Sequence, residues 1–218
     1  MNRRENGRLS FIRDLVRCLI SPQSSFRSIL EKPSLMKATA LILVIAVVAA
    51  WASFNYTGKL PLSYFIDQRP GGIVNPEQLR QASIIAGAMM ALIGVFGTWL
   101  ISSALIHGFS SRLGGKGTFR SMLTLAGFAS TPLLIQQVLR LADSFMVSEE
   151  ALQLATSLQM PAIAEAAVGI FTIFGIWSMI LLIIATRENY KMSTAKSTAA
   201  TILSFIVLIF ISAFLPFM

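Results

Sequence analysis

His107 and Cys18 are the one histidine and the one cysteine of this 218-residue chain, and each can be asked what chemistry its surroundings allow. A histidine becomes the base of a nucleophilic pair when a serine or cysteine lies within its reach and an acid orients it. No such partner stands at a suggestive spacing from His107, which reads as a polar residue closing an apolar run at the membrane interface. One cysteine and one histidine cannot assemble a conventional zinc centre, and one cysteine forms no intrachain disulfide. Gly114-Gly115-Lys116-Gly117-Thr118 looks superficially like a phosphate loop. The first glycine of that motif would fall on Ser110, however, and glycine follows Lys116 where Ser or Thr is needed. The interiors of the long apolar runs hold no ionisable residue. A charge at that depth costs about 2.5–3.5 kcal/mol and is usually retained only for a pathway or relay. Proton coupling and two-carboxylate catalysis therefore lose their usual signature. The expectation is a non-enzyme with no catalytic, cofactor-binding or metal-binding residues.

The elements around these residues belong in lipid. Hydrophobic residues make up 55% of the chain and charged ones 13%, the mean hydropathy is +0.70, and the apolar residues gather into uncharged runs of about 20, the length that crosses a hydrocarbon core. The fold class expected is an all-α integral membrane protein with five transmembrane helices and an N-terminal amphipathic interfacial helix. Residues 1–37 form the amphipathic basic segment and 38–218 the five-span domain, with spans near 38–54, 83–106, 121–139, 166–186 and 198–217. In the first segment Leu9, Ile12, Leu15, Val16 and Leu19 share one helical face, while Arg13, Asp14 and Arg17 fall on another, as suits a helix lying in the membrane surface. Ser21 reads as an N-cap with Pro22 at the first helical position of a short second helix carrying Phe26, Ile29 and Leu30 and stopping near Pro33. Ala50-Trp51-Ala52 mimics a signal-peptidase site, but the basic region ahead of it is too long for a signal peptide and cleavage is not expected. Pro70-Gly71-Gly72 marks a turn, Asn75-Pro76-Glu77 a capped helix start, Pro161 a further start, and Glu165 compensates a helix dipole.

Charge sets the orientation. Fourteen of the eighteen Lys and Arg residues lie in the N-terminal segment, the second-to-third loop and the fourth-to-fifth loop. Lys59, Arg69, Arg80 and Arg140 lie on the opposite side. The positive-inside rule places the N-terminus in the cytoplasm and, with an odd number of spans, the C-terminus outside a cell membrane. The net charge of +8 is spread beside apolar runs without aromatic interleaving. It points to anionic headgroups on the cytoplasmic face, with Arg13, Arg17, Arg112, Lys116 and Arg120 as contacts, rather than to nucleic acid. A protein partner docking on the basic loop, or a second copy of the chain, is the other expected company.

The third span is the least apolar. Pro132 removes a backbone donor and should kink it, freeing carbonyls that Ser130, Thr131 or a neighbouring helix must satisfy. Ser102, Ser103, Ser130, Thr131, Gln136 and Gln137 form a candidate polar track, which makes a small-solute channel or transporter the alternative to a scaffold. Gly87, Ala91, Gly94, Gly97, Gly169 and Gly175 permit close helix contact. Asn55-Tyr56-Thr57 is formally a glycosylation sequon, but it lies too near the membrane to use.

Three stretches carry a family likeness: SPQSSFRSILEKPS before the first span, LGGKGTFRSMLTLAGFASTP across the second-to-third turn, and the fourth-to-fifth turn leading through Lys196. The chain resembles the Yip family, membrane proteins named for interaction with Ypt/Rab GTPases. The most specific part is Gly114, Gly115 and Gly117 followed by Phe119, then Gly127, Phe128 and Pro132, with Phe128 where the family often has tyrosine. The resemblance implies five spans, a cytoplasmic N-terminus and a role as membrane adaptor or organiser. This chain lacks the long N-terminal region and the Asp-Leu-Tyr-Gly-Pro motif of eukaryotic members. The resemblance therefore does not carry Rab binding over, and the short, compact form resembles a prokaryotic member of the family.

Overall fold

Ser34 accepts a hydrogen bond from the Lys37 backbone N–H, Asn75 from that of Glu77, and Thr118 from that of Ser121. Each of these side chains caps a helix start and supplies an acceptor that the first turn lacks. The structure, a computed structural model, describes residues 3–62, 75–152 and 172–214. In chain order its helices are α1 (Arg3–Ile20), α2 (Pro22–Glu31), α3 (Leu35–Gly58), α4 (Pro76–Arg112), α5 (Phe119–Ala129), α6 (Thr131–Met146), α7 (Ile173–Tyr190) and α8 (Thr194–Phe214). The turn at Pro70, Pro161, Glu165, the start of the fourth predicted span and the last residues of the fifth lie outside the described residues.

Among the described residues four helices are long and apolar enough to cross a membrane: α3, α4, α5 and α6 taken together as Phe119–Met146, and α8 over Thr194–Ile211. Among them α4, at 37 residues, is about 55 Å long and extends beyond a hydrocarbon core of about 30 Å. The fourth predicted span corresponds to α7, whose last turn carries Arg187, Glu188 and Asn189 and lowers its hydropathy.

The third span is the most buried of the four, because α5 packs against α3, α4 and α7. It is interrupted at Ser130, two residues ahead of Pro132. Pro132 thus sits in the first turn of α6, where its missing N–H has no intrahelical partner to lose, so the expected kink within one helix is instead a break between two. The carbonyls at the break are satisfied as the sequence demanded. Ser130 Oγ donates to Ala126 O (2.9 Å), Thr131 Oγ1 to Phe128 O (2.6 Å), and Ser178 Oγ of α7 reaches across to Ala129 O (3.0 Å).

The N-terminal helices are more deeply involved than a surface helix would be. The face assigned to lipid in α1 is divided. Phe11, Leu15 and Leu19 pack inward around buried Cys18, while Ile12, Val16 and Ile20 stay exposed. Phe11 meets Phe128 edge-on at 6.3 Å, and Asp14 receives Lys37 Nζ at 3.0 Å. In α2, Phe26 and Ile29 are buried in the core. Ser21 does start that helix, though its side chain makes no cap bond. At the opposite end of the bundle Tyr56 donates to Asp143 (2.6 Å), Lys59 Nζ to Val147 O (2.8 Å) and Asn55 Nδ2 to Ser144 Oγ (3.1 Å), joining α3 to α6. Asn55, the sequon residue, is engaged in that contact.

Candidate functional site at the basic end

The glycine turn between α4 and α5 and the turn that ends α7 meet at the end of the bundle where α1 and α2 dock. Gly114 adopts φ +87°, and Lys191 closes α7 in the left-handed region at φ 54°. Gly115 and Gly117 are glycines for a different reason, close approach. A Cβ on Gly115 would lie 2.7 Å from Tyr190 Cβ, and one on Gly117 would lie 2.7 Å from Asn189 O. The turns are joined by Lys116 N–H donating to Tyr190 O (3.2 Å), Asn189 Nδ2 to Thr118 O (3.1 Å) and Lys196 Nζ to Leu113 O (3.2 Å). Tyr190 is fully buried. Its hydroxyl lies 2.6 Å from His107 Nδ1, and the His107 ring also faces Phe119 at 5.6 Å. His107 is thereby a structural partner of Tyr190, more tightly held than a lone interfacial residue.

Beside this knot the Glu188 carboxylate is buried, 4% exposed, and is satisfied from three sides. Arg27 Nε donates at 2.7 Å, Arg187 Nη2 at 3.1 Å and Gln23 Nε2 at 3.2 Å. Burial by itself would push this carboxyl up, but the Arg27 and Arg187 hydrogen bonds and charges hold it below the usual carboxylate range. Two of its donors come from α2, so the acid ties the N-terminal pair to α7. Glu188, Arg27 and Tyr190 did not emerge as site residues from sequence reasoning. The available signal was one acid standing between cations in RENYK, at the end of an apolar run.

The sign of the pH dependence follows. A carboxyl whose folded value is depressed contributes its stability above its unfolded value, about 4.3, and loses it as pH falls through the folded value. Docking of α2 on α7 should hold through neutral and mildly acid pH and loosen below about pH 4. Spin labels at exposed Ser28 and Ala195 would report this as a lengthened, broadened distance. Cys18 should not interfere, being buried with its thiol pushed up to about 11 by burial.

The sequence-predicted residues divide. Gly114, Gly115, Gly117 and Phe119 form the turn. Gly127 and Phe128 lie deeper, where Gly127 contacts Ala38 of α3 and Phe128 is buried beneath α1. Residues 16–215 match the Yip1 domain family. The chain belongs to the Yip1 family. No curated protein and no solved structure matches it. In this Yip1-domain membrane protein the three stretches that carry the likeness converge: α2, the glycine turn and the α7 turn are the three elements bound together here.

Arg13, Arg17, Arg112, Lys116 and Arg120 are all exposed. The polar track is less coherent. Ser102, Ser130 and Gln137 line one half-enclosed cavity, whereas Ser103 donates to Trp99 O (2.6 Å) and Thr131 to Phe128 O, and Gln136 is outside that lining. Hydroxyls spent on their own helix's carbonyls do not offer a solute a continuous path.

Proposed function

We propose that this Yip1-family chain is a non-enzymatic scaffold of the cell membrane. Its N-terminal helices and basic turns rest on the cytoplasmic leaflet, where they recruit a protein partner or alter local membrane shape. In this reading α7 completes five crossings and the C-terminus lies outside, as the distribution of Lys and Arg favours.

The observation that carries the reading is the state of α1. Its inner face is fixed to the bundle, and the α1–α2 pair is held by the Arg27–Glu188 contact. Its other face turns Ile12, Val16 and Ile20 outward beside exposed Arg13 and Arg17. A rigidly mounted apolar stripe flanked by cations is suited to wedging into an anionic leaflet.

The test is reconstitution of the full chain into vesicles with and without anionic lipid, observed by electron microscopy and light scattering, alongside its oligomeric state and crosslinked partners in native membranes. Remodelling of anionic vesicles, or a reproducible partner or oligomer, supports the scaffold. Ile12→Glu/Val16→Glu/Ile20→Glu should abolish the remodelling. Glu188→Arg should loosen the platform, and Arg27→Glu added to it should restore it. A monodisperse monomer with no partner and no effect on vesicles overturns the proposal, and a cytoplasmic C-terminal reporter overturns its topology.

A further inference from the structure

At the level of the break in the third span, α3, α4, α6, α7 and α8 enclose on one side a cavity of about 250 Å³. Its wall is mostly apolar, from Ile45, Val95, Leu133 and Phe205 among others, and among the described residues no charged side chain lines it. The size lies between the roughly 150 Å³ that accepts one aromatic ring and the roughly 300 Å³ at which drug-sized pockets begin.

The polar groups in the wall are not equally free. Ser102 Oγ donates to Trp99 O, Ser130 Oγ to Ala126 O, Ser178 Oγ to Ala129 O, and the Trp99 indole N–H to Leu123 O. Gln137 differs. Its Oε1 is buried with no hydrogen-bond partner among the described residues, and leaving such an atom unsatisfied in a low-dielectric setting is costly. A single water could reach the amide, but most of the remaining wall is apolar and offers few of the two to four polar partners it needs. An acyl tail fills the volume but offers the amide nothing, and a charged headgroup finds no counter-charge.

We propose that this cavity binds a neutral, single-chain amphipath of medium length, whose one hydroxyl bonds the Gln137 amide while its apolar body fills the space beside Trp99. A hydroxyl both donates and accepts, so it satisfies the amide whichever of its atoms faces the ligand. The site is independent of the scaffold platform at the basic end.

Trp99 supplies the readout. In the full chain with Trp51→Phe and Trp177→Phe, reconstituted in phospholipid nanodiscs, it is the remaining tryptophan, and bromine quenches indole fluorescence on contact. The probes are 8-bromooctan-1-ol and 1-bromooctane, compared at equal concentration in the bilayer. The alcohol should quench saturably with a half-saturation about tenfold below that of the bromoalkane, the worth of roughly one buried hydrogen bond. Gln137→Leu should erase the difference, and Gly175→Leu, which fills the wall, should remove saturation for both. Equal half-saturation of the two probes in the unaltered cavity overturns the proposal, as does quenching that stays linear. That comparison needs no Gln137 variant to fold.

Discussion

Gly127→Ala should destabilise the bundle by about 1–3 kcal/mol and Gly127→Val should prevent it from assembling. The Cβ of the alanine would lie 2.7 Å from Ala38 Cβ and 3.2 Å from Ala38 Cα, so the neighbour that must yield is the backbone of α3 and not the tip of a flexible side chain. Valine adds two methyl groups whose χ1 choices are few. Because α5 also packs on α4 and α7, it cannot retreat from α3 without opening another contact. Thermal unfolding in mild detergent, followed by circular dichroism, is the measurement. The decisive comparison is Gly127→Ala combined with Ala38→Gly. Moving the methyl from one helix to the other should recover most of the loss, less the roughly 1 kcal/mol that a glycine costs within a helix. If the pair is no better than the single variant, close approach is not why glycine stands at 127.

The second large effect is at Gly117. Alanine there meets Asn189 O and Tyr190 Cδ1, each at 2.7 Å, and Asn189 Cγ at 2.8 Å. It should part the two turns, breaking the Asn189–Thr118 bond and shifting Tyr190 from His107, at a cost of about 1–3 kcal/mol. The other glycines of the region grade the effect. Gly114→Ala has open space around it but a φ of +87°, a strain of roughly 1–2 kcal/mol. Gly108→Ala meets nothing within 4 Å and lies within helical α4, so it should be neutral or stabilising by up to about 1 kcal/mol. The order of melting temperatures, Gly108→Ala above Gly114→Ala with Gly117→Ala at or below it, is the expected result. Gly117→Ala melting with the parent would show that the turns do not bear on one another.

Some of this site is legible in the chain and some is not, and the division is physical. The glycine turn and the irregularity at Pro132 depend on residues within about one turn of each other, so local rules of φ and missing donors find them, though they gave a kink where the chain breaks into two helices. Glu188 and Arg27 stand 161 positions apart, and no periodicity links them. The amphipathic face of α1 shows the limit from the other side. Helical spacing groups Leu15 with Ile12 and Val16, yet Leu15 packs against the buried core while the other two stay exposed. A 3.6-residue period identifies an apolar stripe but not how many neighbours will share it.

The sequence by itself determined that the protein belongs in a membrane. Runs of about 20 uncharged residues leave the backbone no solution in hydrocarbon except helices whose hydrogen bonds close within each segment. It likewise placed the third span in the interior and a backbone irregularity at Pro132, since its proline and hydroxyl side chains are tolerable only where other protein satisfies them; that the irregularity is a break between two helices came from the tertiary structure. Only the tertiary structure decided what those helices bring together: three likeness-bearing stretches at one end, Glu188 held by arginines from two elements, and a Gln137 Oε1 with no partner among the described residues beside an apolar cavity. These depend on which faces meet. Helix packing in lipid is settled by small differences in close contact and polar satisfaction, distributed over residues far apart in the chain.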